Sequence, residues 1–140
     1  MKTITLYRPI GLKELELIIA SDFSKFPPRL DWQPIFYPVM NEEYACEIAL
    51  KWNTTDAFSG YSGYVTAFKM NAEYIDGFEV QNVGGDIHNE LWVLSEDMEV
   101  FNSQIIGKIE ITKTFLGKQF KETNDKIIEE IIKNTEVRDS

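Results

Sequence analysis

The chain has 140 residues, 44% of them hydrophobic, which suits one domain with a proper core and argues against a second. Its 23 acidic residues against 14 basic ones give a net charge of -9, which argues against a broad phosphate-binding or nucleic-acid surface and leaves room only for a small local basic patch. Cys46 is the single cysteine, so neither an internal disulfide nor a Cys-based metal site is available, and it reads as a small buried hydrophobe.

Thr3 to Arg8 alternates polar and apolar residues and predicts a short strand, ended by Pro9. The alternation leaves no continuous apolar run, so neither a signal peptide nor a membrane span is expected, and a reducing cytoplasm is the expected location. Leu12, Leu15, Ile18 and Ile19 then follow helical spacing and predict a helix over Gly11 to Ser21, with Lys13, Glu14 and Glu16 on its polar side. The proline-rich stretch from Phe26 to Pro34 predicts a loop carrying Arg29 and Trp32. A loop-anchoring salt bridge is the expected role of Arg29, with substrate binding as the alternative. Ile35 to Val39 reads as a short strand that Pro38 confines to an edge or an end. Asn41 caps a second helix, Glu42 to Trp52, whose first turn carries Glu42 and Glu43 and whose buried stripe is Ala45, Ile48, Ala49 and Trp52.

A turn-rich loop spans Thr54 to Gly63. Strands are predicted at Tyr64 to Met70, with Tyr64, Thr66 and Phe68 on one face and Val65 and Ala67 on the other, at Phe78 to Val83, and at Glu90 to Leu94. Ser95 caps a short helix and Ile105 to Phe115 forms a longer strand. From Lys118 a charged segment carries Phe120, Ile127, Ile128, Ile131 and Ile132 as a stripe, expected to dock on the domain or on another subunit. Glu136 to Ser140 are expected to fray. The sum is one α+β domain over 1–117, with a largely antiparallel or mixed sheet split around a cleft, and a helical extension of the same domain over 118–140. A doubly wound nucleotide fold is disfavoured because strict β-α-β alternation is missing, and Gly84-Gly85 is not a phosphate-binding fingerprint.

The stretch His88-Asn89-Glu90-Leu91-Trp92-Val93-Leu94 carries the most chemistry. On a strand, His88, Glu90 and Trp92 share one face while Leu91 and Val93 share the other. A single histidine rules out most histidine-rich metal sites and leaves at best a weak mononuclear site of His88, Asp86 and Glu90, and neither Ser59 nor Cys46 sits in a recognisable nucleophile turn. What is left is a glutamate with arginine, serine and tyrosine candidates, suited to stabilising a developing cation. A carboxylate about 4 Å from a unit positive charge gains roughly 4 kcal/mol at an effective dielectric near 20, or about three decades in rate. Such a residue fits N-glycosidic cleavage through an oxocarbenium-like state.

The strand Leu6-Tyr7-Arg8, the following helix with Glu14-Leu15-Glu16-Leu17-Ile18, and the later run from Glu90-Leu91-Trp92-Val93 to Ile105-Ile106-Gly107-Lys108-Ile109 resemble the start and end of the ADP-ribosyltransferase fold. Over about residues 3 to 115 the chain also resembles small bacterial proteins labelled ADP-ribosylation/crystallin J1. The resemblance implies NAD as substrate and no metal. It implies that Arg8 contacts the NAD phosphates or ribose and that Glu90 holds the ribose hydroxyls and supports the oxocarbenium. A middle-motif residue would come from Ser59, Ser62, Tyr64 and Thr66, with Tyr64 favoured for stacking on nicotinamide; the competing expectation for Tyr64 and Trp92 is that, as large aromatics on alternating strands, they are buried in the core. His88 stands where arginine-modifying members carry Glu or Gln, and is expected beside the cofactor; their Ser-Thr-Ser motif is absent. The expected partners are a nucleotide and an acceptor protein, with no membrane. The competing expectation is a non-catalytic interaction module, or a homo-oligomer, using the C-terminal helix.

Overall fold

The computed structural model describes residues 1–137. The chain runs β1 (Thr3–Ile10), α1 (Leu12–Ala20), β2 (Ile35–Phe36), α2 (Glu42–Lys51), β3 (Ser62–Asn71), α3 (Ala72–Ile75), β4 (Gln81–Asn82), β5 (Asn89–Glu90), β6 (Val93–Leu94), α4 (Met98–Ser103), β7 (Ile105–Leu116) and α5 (Lys126–Thr135). It is an α+β domain whose strands pair antiparallel. The main sheet has the order β1-β3-β7, and β2 pairs with β6 and β4 with β5 in two short ribbons.

β3 is the central strand, so its alternation serves two cores. Tyr64, Phe68 and Met70 pack with Leu6 and Ile10 of β1, Leu15 and Ile18 of α1, Phe26, Phe36 and Phe101. Val65, on the opposite face, packs with Ala45 and Ala49 of α2, with Val39 and with Phe115. The small residues Ala45 and Ala49, one turn apart, let α2 lie close on the sheet. Gly63 of β3 closes that approach: a Cβ there would stand 2.9 Å from the Ala49 Cβ, the Ala49 carbonyl oxygen and the Asn53 Cβ.

Pro9 does not end β1. The strand continues to Ile10 with Pro9 opposite Val65, because the odd residues of β1 turn their backbone polar groups away from β3, as Tyr7 shows by bonding Val39 instead. The missing N–H of Pro9 therefore falls on the outer edge, where a strand tolerates it. The run Glu90 to Leu94 is not one strand. Glu90 pairs with Gln81 and Val39, whereas Val93 and Leu94 pair with Phe36 and Ile35, so the chain changes partner between them. Of the strand expected over Phe78 to Val83, only Gln81 and Asn82 pair.

Trp52 leaves its expected stripe and is 72% exposed. The chain tightens into a 3-10 turn at Asn53–Thr55 just as that residue caps α2, which rotates it off the face of Ala45 and Ala49. Cys46 is half-buried rather than buried, and burial pushes its thiol pKa up. α5 begins at Lys126, well after Lys118, because Asp125 accepts from the backbone N–H groups of Ile127 and Ile128 at 2.9 and 3.1 Å. Ile128 is buried and Ile131 and Ile132 pack against the same chain's core, so most of the isoleucine stripe is used within the domain. Glu136 and Val137 are not frayed: the Val137 N–H donates to the Thr114 carbonyl at 2.8 Å and Glu136 bridges Thr114. Residues 138–140 of that expectation lie outside the described residues. Among the described residues no helix is long and apolar enough to cross a membrane.

Gly63→Ala should cost about 1–3 kcal/mol, because α2 must move off β3 to admit the methyl group. Urea unfolding measures this directly, and an unchanged midpoint would show that the close approach of α2 does not constrain the sheet.

Candidate functional site

Asn41 does two jobs at the start of α2. Its Oδ1 accepts from the Tyr44 backbone N–H at 2.8 Å, the ordinary N-cap bond, while its Nδ2 donates to the Ile87 carbonyl at 2.7 Å. The same segment pairs with residues 89–91: the Met40 N–H donates to the Asn89 carbonyl at 3.0 Å and the Leu91 N–H to the Pro38 carbonyl at 2.9 Å. Helix start and extended segment are thereby joined, and Tyr44 meets Glu90.

Glu90 is 9% exposed. Its Oε2 accepts from the Tyr44 hydroxyl at 3.1 Å and its Oε1 from the Trp92 indole N–H at 2.9 Å. Leu91 and Val93 are buried on the other side of this segment, so Glu90 and Trp92 share a face as the alternation predicts. Both donors to Glu90 are neutral, and among the described residues no arginine, lysine or histidine pairs with it. A nearly buried carboxylate is thus fixed in orientation with its negative charge uncompensated. Burial, followed by the charge of Glu90 and the hydrogen bond to it, pushes the Tyr44 phenol up to about 12, so Tyr44 remains a donor across the physiological range.

His88 points elsewhere. Its Nδ1 accepts the Gly85 backbone N–H at 3.0 Å, which leaves Nε2 facing the Glu47 carboxylate at 3.3 Å, and its ring lies 4.7 Å from that of Tyr44. Hydrogen bonds from His88 and then Lys51 hold the Glu47 carboxyl below its usual range. His88 therefore buttresses the far side of Tyr44 and is not among the residues lining the cleft beside Glu90.

Arg8 has the parity of Leu6 and Ile10, so its side chain is directed to the larger core face at the edge of the sheet. There it is 11% exposed and bound side-on by Glu14 of α1, through Nε at 2.9 Å and Nη2 at 3.1 Å. Its guanidinium lies 4.3 Å from the centroid of Phe36, and Nη1 faces the Tyr37 carbonyl at 3.5 Å. A guanidinium has five N–H donors, and these contacts occupy three of them.

Arg8 and Glu90 line one cleft of about 640 Å³, together with Tyr37, Tyr44, Trp52 and Trp92 as polar-edged aromatics and Pro9, Val39 and Ile48 as an apolar surface. Trp92 is 45% exposed there. Tyr64 does not join them. It is fully buried in the core, with its hydroxyl lacking a hydrogen-bond partner, because a side chain on the central strand is covered where α1 packs over the sheet. Ser59, Ser62 and Thr66 are also buried and absent from the cleft: Ser59 bonds Asp56 and Asn53, and Thr66 donates to the Arg8 carbonyl at 2.8 Å.

No family model, curated protein or solved structure matches the chain. The site therefore stands on its own geometry. Among the described residues no group of three or more His, Cys, Asp or Glu side chains is placed to hold a metal ion.

Tyr44, Tyr37, Trp52 and Trp92 are the cleft aromatics that sequence reasoning missed, Trp92 having been expected in the core, and Asn53 and the apolar Pro9, Val39 and Ile48 were not foreseen there either. The exposed position of Trp52 could have been read from its place at the end of α2. Tyr44 has no local signature, since the residue it orients lies 46 positions away.

The raised pKa of Tyr44 has a measurable sign. The stability it contributes is whole below the ordinary tyrosine pKa near 10 and is lost as the pH rises towards about 12. Burial also pushes Tyr64 and Tyr74 up, so ultraviolet titration should find several late-ionising tyrosines, of which Tyr44→Phe removes one, and Glu90→Gln should lower the midpoint of that one part of the way, because burial remains. A midpoint unmoved by Glu90→Gln would mean that the two side chains are not coupled.

Proposed function

We propose that the cleft binds NAD or a related nucleotide and that Glu90 stabilises the ribosyl cation formed when the N-glycosidic bond breaks. The observation that carries this reading is the nearly buried Glu90 carboxylate, oriented by Tyr44 and Trp92, without a cation of its own, in the same cleft as Arg8. A site of this kind favours a positive charge that develops beside it and gains most when that charge appears only in the transition state.

The chemistry balances without a metal. The bond between C1′ of the ribose and the nicotinamide nitrogen breaks, its electron pair leaves with nicotinamide, and the pyridinium charge is lost as the cation appears at C1′. Water or a nucleophile of an acceptor protein then bonds to C1′ and gives up its proton, so hydrolysis and ADP-ribosyl transfer share one first step. Glu90 would face C1′ and the ribose hydroxyls. Arg8 would hold the phosphate or ribose end with the donors that Glu14 does not occupy. Trp92 and Tyr44 take over the role first expected of Tyr64, offering flat surfaces to the nicotinamide at the carboxylate. This reading includes an ADP-ribosyltransferase-like arrangement, with the elements split around the cleft, and a cytoplasmic location.

Calorimetry with NAD tests the reading. Binding at millimolar concentration or tighter is expected, and its absence would remove the nucleotide assignment. If NAD is hydrolysed, Glu90→Gln should lower kcat on the order of a hundredfold or more with the thermal midpoint little changed; an unchanged rate would relieve Glu90 of its role and leave a binding protein.

A further inference from the structure

Two of the chain's arginines meet over one aromatic ring. Arg8 of β1 places its guanidinium carbon 4.3 Å from the Phe36 centroid, and Arg29, from the proline-rich segment before β2, places its own at 5.7 Å. They are not equally compensated. Glu14 occupies two donors of Arg8, whereas Arg29 has no carboxylate partner among the described ion pairs, and the salt bridge expected for it does not form. Its Nη2 donates to the Ile35 carbonyl at 3.0 Å, and its Nε is buried without an acceptor.

A half-buried guanidinium with an unpaired donor is costly, and the face of Phe36 returns only part of what hydration gave. Burial first, and then the positive charge of Arg8, lower the Arg29 pKa to about 10, while Glu14 opposes the shift; Arg29 is therefore still charged at neutral pH. Its acceptor, the Ile35 carbonyl, is two residues before Tyr37, which lines the cleft with Arg8, although Arg29 itself is not among the lining residues. At this wall two guanidiniums face one carboxylate, in a chain whose net charge is -9. The imbalance is local and unsatisfied, and Arg29 shares the Phe36 ring with Arg8, which lines the cleft.

We propose that Arg8 and Arg29 form a diphosphate-binding wall at Phe36, with Arg29 supplying the second guanidinium. A diphosphate suits it because two planar donor forks can each meet one phosphoryl group, and its charge supplies the counter-ion that Arg29 lacks. The proposal rests on the nucleotide reading above: the diphosphate of a dinucleotide would lie on this wall while its ribose reaches Glu90.

Calorimetry on the full chain, comparing the native protein with R29Q and R29K, tests it with NAD, inorganic pyrophosphate and inorganic phosphate as probes. Pyrophosphate should bind more tightly than phosphate, and R29Q should weaken both NAD and pyrophosphate by about tenfold or more, with affinities that fall as salt rises. NAD that binds the native protein and R29Q alike would overturn the wall and leave the nucleotide reading standing. Pyrophosphate binding that R29Q abolishes, without any binding of NAD, would support the wall and remove the nucleotide reading. No binding of either probe would overturn both. Should R29Q fail to fold, R29K decides: it keeps the charge and a donor for Ile35 but lacks the planar fork, and an undiminished pyrophosphate affinity would overturn the proposal.

Discussion

Tyr7 and Val39 exchange two backbone hydrogen bonds, at 3.0 and 2.7 Å, and Val39 is bridged in turn to Glu90. The rest of the site depends on this single-residue extension of the sheet edge. It brings the segment before α2 against β1, carries residues 89–91 onto the other side of that segment, and so sets Glu90 in the cleft that Arg8 lines. Backbone groups at an open strand edge must find partners, and here the partners are segments too short to form full strands. Asn41 adds a second tie by capping α2 and bonding Ile87 with the same side chain.

The charges divide into two kinds of unsatisfied centre. Glu90 is held by neutral donors, so its position is fixed while its charge stays available. Arg8 is held by Glu14, yet the Arg29 beside it is held only by a carbonyl. A negative centre at one part of the site and a positive surplus near another are what the proposed dinucleotide, cationic at its nicotinamide and anionic at its diphosphate, would need. The overall acidity does not oppose this, because half-buried charges respond to neighbours within a few ångströms more than to a screened net charge.

The aromatic residues separate by their distance from the sheet centre. Tyr64, on the middle strand, is sealed beneath α1, while Tyr44, Trp52 and Trp92 are left at the margins where helix and strand ends meet the cleft. A large aromatic on an alternating strand buries its area unless the strand stops or lies at an edge. That rule leaves Tyr44 and Trp92, not Tyr64, as aromatics facing the cleft.

The alternation of β1, β3 and β7 and the cap and stripe of α2 were legible in the residues because period and capping are local properties of a chain. The common face of Glu90 and Trp92 was legible for the same reason. Pairing partners were not. Whether Pro9 stops a strand depends on which edge its nitrogen faces, and whether the Glu90 segment is one strand or two depends on residues more than forty positions earlier in the chain. Tyr44 over Glu90, His88 turned to Glu47, and Arg29 beside Arg8 are contacts between distant segments. By itself the sequence determined an α+β chain with a glutamate facing one side of its segment. Only the tertiary structure decided which side chains surround that glutamate, because those contacts follow from how edges and helix starts meet in space.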